Sequence, residues 1–144
     1  AREEDDAQGI ADAAEIFNVG IYGMVNTYHE KVYKERGVKF YGEFYSDLEY
    51  DETGYLVIAK GRNKHYPTDR AVERCMRAIK EKKVTTLQGN DVDVGCETIC
   101  VHSDTPNAIE ILKALRKQIS PNKSTKEKKN NSNHSKMPYI EDNK

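Results

Sequence analysis

Thr98-Ile99-Cys100-Val101-His102-Ser103-Asp104-Thr105-Pro106-Asn107-Ala108 is the stretch that decides how this chain folds. Thr98 to Val101 is a short, continuous apolar run, the pattern of a buried strand. It ends at the polar turn His102-Ser103-Asp104. Thr105-Pro106 then places a capping residue before a proline at the first helical position. The helix that follows is predicted to bury Ala108, Leu112, Leu115 and Ile119. A strand that runs through a polar turn into a helix is half of a βα crossover, and parallel sheets are built from such units.

Upstream the same alternation recurs. Ile10, Ala13, Ala14 and Phe17 follow the i, i+3, i+4, i+7 pattern of a helix with one buried stripe, and Glu3 to Asp6 suits the positive end of its dipole. Val19 to Val25 reads as a buried strand. Asn26 to Arg36 reads as a helix closed by Gly37. Val38 to Tyr45 is rich in β-branched and aromatic residues and reads as a second strand. Turn residues from Tyr50 to Tyr55 lead into a short strand, Tyr55 to Ala59. A helix opens at Pro67-Thr68-Asp69, with Val72, Cys75, Met76 and Ile79 as its apolar stripe. Val84 to Leu87 and Asp91 to Val94 flank Gln88-Gly89-Asn90 as a hairpin. The fold class is therefore α/β with parallel strands, with about three core strands, few for a parallel sheet that needs both faces covered.

Residues 1–119 read as one packed unit. From Ser120 the composition changes: Pro121 to Lys144 holds six lysines against three acids, and residues 120–144 read as a disordered, solvated Lys/Asn/Ser-rich tail. The chain of 144 residues has a formal net charge of −1. That balance gives no general argument for a nucleic-acid or membrane partner. No apolar run approaches the ~20 residues of a membrane span. Three cysteines, Cys75, Cys96 and Cys100, without framework spacing fit a reducing, cytoplasmic compartment. They read as buried thiols acting as small hydrophobes, and no metal site is expected.

Functional side chains of parallel α/β folds gather at the C-terminal ends of the strands. That rule selects His102 and Asp104 after the last strand, and Glu43 and Asp47 at the end of Val38 to Tyr45. If the strands are neighbours, the four face one cleft. A histidine beside carboxylates can serve as general acid or base, because its ordinary pKa of ~6.5 lies near working pH. The alternative is structural: Asp104 caps the helix and His102 only hydrogen-bonds within the fold. His29, His65 in the basic loop Arg62 to Tyr66, and His134 in the tail read as solvated. No glycine-rich phosphate loop occurs, so no cofactor is evident from these residues.

The stretch from Thr98 to Ala108 resembles the LamB/YcsF family, whose members carry I-C-V-H-[GS]-D-[TN]-P-x-A near the C-terminus. Glu43 to Tyr50 is similar to its E-x-F-A-D-R-x-Y segment, with Leu48 where the family usually has Arg. Gly54-Tyr55-Leu56-Val57 is similar to its G-x-L-V turn, with Ile58-Ala59 where Pro-Arg often follows. The likeness spans roughly residues 7 to 119. It implies a partial (βα) barrel of the glycoside hydrolase/deacetylase type, about seven strands in the complete fold. It also implies the A subunit of an ATP-dependent 5-oxoprolinase, opening 5-oxo-L-proline to L-glutamate with B and C partner subunits. By this likeness Glu43, Asp47, His102 and Asp104 match motif positions.

The family's D-x-N-x-D-x-G-E, A-C-G-x-H-x-G-D and K-P-H-G-A-L-Y segments do not occur in this sequence. Two functions follow. In one, these residues are part of an amidohydrolase, with His102 as general acid or base, Glu43 or Asp104 orienting it and Asp47 holding a loop. In the other, they form a truncated non-catalytic fragment or an interaction module.

Overall fold

Three short strands lie parallel in one sheet, in the order β1-β2-β7. The computed structural model describes residues 3–58 and 64–120. The elements are α1 (Glu4–Phe17), β1 (Ile21–Gly23), α2 (Tyr28–Glu35), β2 (Phe40–Tyr45), β3 (Glu49–Tyr50), β4 (Leu56–Val57), α3 (Thr68–Glu81), β5 (Lys83–Thr85), β6 (Asp91–Asp93), β7 (Thr98–Cys100) and α4 (Ala108–Ile119). Apart from β3, which the sequence pattern does not separate from the turn before β4, this is the order read from the sequence. β1 pairs with β2 from Ile21↔Phe40 to Gly23↔Gly42, and β2 pairs with β7 from Glu43↔Thr98 to Tyr45↔Cys100. The β3-β4 and β5-β6 pairs are antiparallel excursions.

Local chemistry sets the helix ends. The Thr27 hydroxyl accepts from the His29 N–H and caps α2. Gly37, at φ +72°, supplies the left-handed residue that turns the chain toward β2. Two apolar clusters hold the helices to the sheet. Ala7 and Ala11 of α1 meet Val32 and Tyr33 of α2, with Phe40 against them. Phe44, Ala71, Cys75, Ala78, Ile111 and Leu115 form the larger core under α3 and α4.

Which side of each helix is buried departs from the predicted stripes. α1 buries Ala7, Ala11 and Ala14, whereas Phe17 is 74% exposed and Ile10 also faces outward. Small residues let α1 approach α2 closely, and bulk alone misidentifies its inner face. α3 buries Ala71, Arg74, Cys75 and Ala78, a face rotated from the predicted one, with Val72, Met76 and Ile79 only partly covered. α4 starts at Ala108 and buries Ala108, Ile111 and Leu115, while Leu112 and Ile119 are exposed. Thr105 does not cap α4, because its hydroxyl is committed elsewhere. β1 is an edge strand of the described sheet rather than a buried one, and its Tyr22 is 58% exposed.

Side chains alternate along β2, so Phe40 and Phe44 face the helices, Gly42 between them lies against Val25 and Gly95, and Tyr41, Glu43 and Tyr45 face the other way. Register puts Tyr22, Thr98 and Cys100 on that second face. No helix among the described residues is long and apolar enough to cross a membrane. The tail from Pro121 onward, read as disordered, and Ala59 to Asn63, including the start of the basic loop, lie outside the described residues.

Candidate active site at the strand ends

β2 and β7 run parallel and stop level with each other, so the turns that follow them meet. Ser46 fastens the junction: its N–H and hydroxyl both donate to the Cys100 carbonyl, at 3.1 and 2.8 Å. Asp47, next in the chain, is buried and accepts hydrogen bonds from the second turn. It accepts from the His102 ring at Nδ1 (2.7 Å), from the His102 N–H (3.1 Å) and from the Thr105 hydroxyl. Burial alone would raise the Asp47 pKa, but these donors outweigh it and hold the carboxyl below the ordinary value.

An ionised Asp47 is an acceptor only, so the proton at His102 Nδ1 belongs to the imidazole. In the neutral ring Nε2 then carries the lone pair. It lies 3.9 Å from Cys100 Sγ. The Tyr45 ring stacks on the imidazole, with centroids 5.9 Å apart and planes 18° apart. Burial, and then the Glu43 carboxylate beside it, raise the Tyr45 phenol well above its ordinary range.

The turn that carries Asp47 is held from behind by Arg74 of α3. Its guanidinium donates to the carbonyls on either side of Asp47: Ser46 O at 3.1 Å and Leu48 O at 2.6 Å. It also donates to the Tyr66 hydroxyl at 2.5 Å and lies 5.7 Å from the Phe44 ring centroid. Arg74 is 8% exposed, and its charge is met by these backbone dipoles and ring faces and by the Glu49 carboxylate at 4.0 Å.

Of the four predicted residues, His102 and Asp47 are joined directly. Glu43 lies on the same sheet face, linked to His102 through Tyr45. Asp104 is exposed on the turn after His102, three residues before Asn107, which stands at the N-cap of α4 in place of the Asp104 expected there. The predicted division of labour is corrected: Asp47, not Glu43 or Asp104, occupies the orienting position on the imidazole. His29, predicted to be solvated, is half-buried and stacks on Tyr33 at 5.5 Å. Its pKa is lowered by burial.

Sequence reasoning misses Tyr45, Ser46, Arg74, Cys100 and Thr105 as parts of this site. Period-two spacing from His102 is the signal for Cys100. The run Ala71-Arg74-Cys75-Ala78 is the signal for a buried arginine.

The arginine-lined cavity on α3 does not suit a nucleoside triphosphate. Arg70, Arg74 and Arg77 line a cavity of about 330 Å³ on α3, but each is already bound. Arg70 pairs with Glu49, and Arg77 pairs with Asp91 through both nitrogens at 2.8 and 2.5 Å. No cluster of three His, Cys, Asp or Glu able to hold a metal occurs among the described residues.

The sequence profile of the LamB/YcsF family matches residues 1–134. The chain belongs to the LamB/YcsF family. Among its relatives, the 5-oxoprolinase A subunit of Fusobacterium nucleatum is 35% identical over 127 residues, covering 83% of this chain and 48% of the relative. A 5-oxoprolinase A subunit of Pseudomonas aeruginosa is 31% identical over 99 residues, covering 69% of this chain and 39% of the relative. In structure, this LamB/YcsF chain is similar to the lactam utilization protein of Thermus thermophilus, with a TM-score of 0.67 at 28% identity, over 81% of this chain and 47% of that one. The chain thus spans about half the length of the relatives it matches. The mixed α/β fold with a parallel sheet is shared with that protein.

Proposed function

We propose that this chain is the C-terminal part of a (βα)-barrel amidohydrolase, of the kind that forms the A component of 5-oxoprolinase. The reaction is the ATP-dependent ring opening of 5-oxo-L-proline to L-glutamate, carried out in the cytoplasm with B- and C-type partner subunits. The three-stranded sheet would be one arc of the barrel, and the face with Tyr41, Glu43, Tyr45 and Cys100 its interior.

The observation that carries the reading is the His102–Asp47 pair at the ends of two adjacent parallel strands. Ring opening of a lactam needs a proton delivered to the departing nitrogen and one removed from the attacking group. His102 Nε2 suits both tasks in turn, with Asp47 fixing the tautomer and stabilising the imidazolium. Tyr45 restricts the ring plane, and Glu43 sets the charge on the interior face. Asp104 lies at the rim.

The test is glutamate release from 5-oxoproline and ATP by the full-length protein with its partner subunits. His102→Ala should lower the rate by about 10²–10⁴-fold, the usual loss for a general acid–base group. An unchanged rate would show the assignment to be wrong. A second reading rests on the open sheet face, since a parallel sheet needs both faces covered. These residues alone would then be non-catalytic, and the isolated chain would release no glutamate.

A further inference from the structure

Among the described residues, Cys100 is the thiol within reach of the His102–Asp47 pair. Its Sγ is 3.9 Å from His102 Nε2, whose opposite nitrogen is 2.7 Å from Asp47 Oδ1. Nucleophile, base and orienting carboxylate therefore stand in the order of a catalytic relay. Such hydrogen bonds are commonly longer before substrate binds than during the reaction.

Three features separate Cys100 from a thiol that merely fills space. It stands on the half-open sheet face beside Glu43 and Tyr45. Its carbonyl is fixed by two hydrogen bonds from Ser46, which sets the position of its Cα. The lone pair directed at it belongs to a histidine whose other nitrogen is held by a buried carboxylate. Cys75 and Cys96 differ: burial pushes the Cys75 thiol up to about 12 and raises that of Cys96. They are internal controls.

We infer that Cys100 is the covalent nucleophile of the lactam-opening reaction, with His102 as its base and Asp47 as the positioning residue. This rests on the reaction proposed above, in which phosphoryl transfer from ATP to the lactam oxygen drives ring opening and the phosphoryl group leaves to water as inorganic phosphate when the carbonyl re-forms. The Cys100 S–H proton passes to His102 Nε2 as the Sγ–C bond to the lactam carbonyl forms. The C–N bond breaks, and the ring nitrogen takes the proton from the imidazolium. Because the leaving amine stays tethered, the whole substrate remains on the enzyme as a thioester. Water then attacks the thioester carbon and gives its proton to His102. The thiolate leaves and is reprotonated, and the product is the open-chain amino acid.

Two experiments test this. The first uses the chain as it stands and needs no turnover: the pH profile of iodoacetamide alkylation at each cysteine, read by peptide mass spectrometry. Cys100 should react at pH 7 faster than Cys75 and Cys96, with an apparent pKa below the free-thiol value of ~8.5. His102→Gln should return the profile toward ~8.5 and cut the rate at pH 7 roughly tenfold. Asp47→Asn reads the same link if His102→Gln does not fold. A Cys100 profile indifferent to both substitutions overturns the relay.

The second experiment uses the full-length protein with partner subunits, quenched in acid during turnover. The Cys100 peptide should gain the mass of one entire substrate, removable by hydroxylamine, and Cys100→Ala should abolish both the adduct and turnover. If Cys100→Ala turns over normally while His102→Ala does not, the nucleophile assignment falls and the amidohydrolase reading stands. If no preparation opens 5-oxoproline, the amidohydrolase reading falls, and the covalent role of Cys100 in it falls too. The alkylation profile then still decides whether His102 activates Cys100.

Discussion

Asp47 carries more of the strand-end turn than its size suggests. Its carboxylate accepts from the ring and backbone of His102 and from Thr105. Asp47→Ala would leave these donors buried without an acceptor, and the cost should be about 3 kcal/mol, read as a lower urea midpoint. The pH dependence follows from the sign of the shift. The folded carboxyl sits below the ordinary 3.8. Its stabilisation is therefore fully present above that value and is lost as pH falls through the lower folded value. Wild type should lose stability more steeply than Asp47→Asn as the pH falls from 3.8 downward; equal slopes in acid denaturation would contradict this. His102 and Asp47 are legible in the sequence as strand-end residues because each follows a strand. That they bond to each other is not, since the partners are 55 positions apart. The contact exists only because β2 and β7 align with Glu43 opposite Thr98.

Helix α3 contributes function through its buried face. Arg74 holds the carbonyls that flank Asp47, so Arg74→Met should act on His102 from a distance. Its removal strands the two buried carbonyls of Ser46 and Leu48, at a cost of about 3 kcal/mol. Beyond that loss, the NMR resonances of the His102 imidazole should broaden or move at constant pH, whereas a destabilising change remote from the turn should leave them in place. Gly95 makes a different demand. A Cβ there would meet Val25 Cγ1 at 2.5 Å and the Gly42 backbone at 3.0 Å. Gly95→Ala should cost about 1–3 kcal/mol through overpacking, measured by thermal or urea unfolding. Patterning locates every helix of the described residues and every strand but β3, and misjudges three helix faces. Summed apolarity favours Ile10, Phe17 and Leu112. The close approach of α1 to α2 instead selects Ala7 and Ala11, and the hydrogen bonds of Arg74 bring a charged residue inside.

The sheet as a whole is unevenly protected, and this can be measured. β2 lies between β1 and β7, while each of those has one partner among the described residues. The helix side of β2 is covered by both apolar clusters, through Phe40 at one end and Phe44 at the other. Local opening should therefore cost least at β1, whose Tyr22 is largely exposed, and most at β2. Amide hydrogen exchange on the isolated chain should be at least about tenfold faster across Ile21–Gly23 than across Phe44 and Tyr45. Supplying the remainder of the proposed barrel should slow exchange at β1 and β7 and change β2 little, because only the outer strands gain hydrogen-bonding neighbours. Equal protection of all three strands in the isolated chain would mean that its edges are already covered, as association with a second copy would do. Repeating the exchange at several chain concentrations separates these cases: an intrinsic edge exchanges at a rate independent of concentration, whereas a covered one slows as concentration rises.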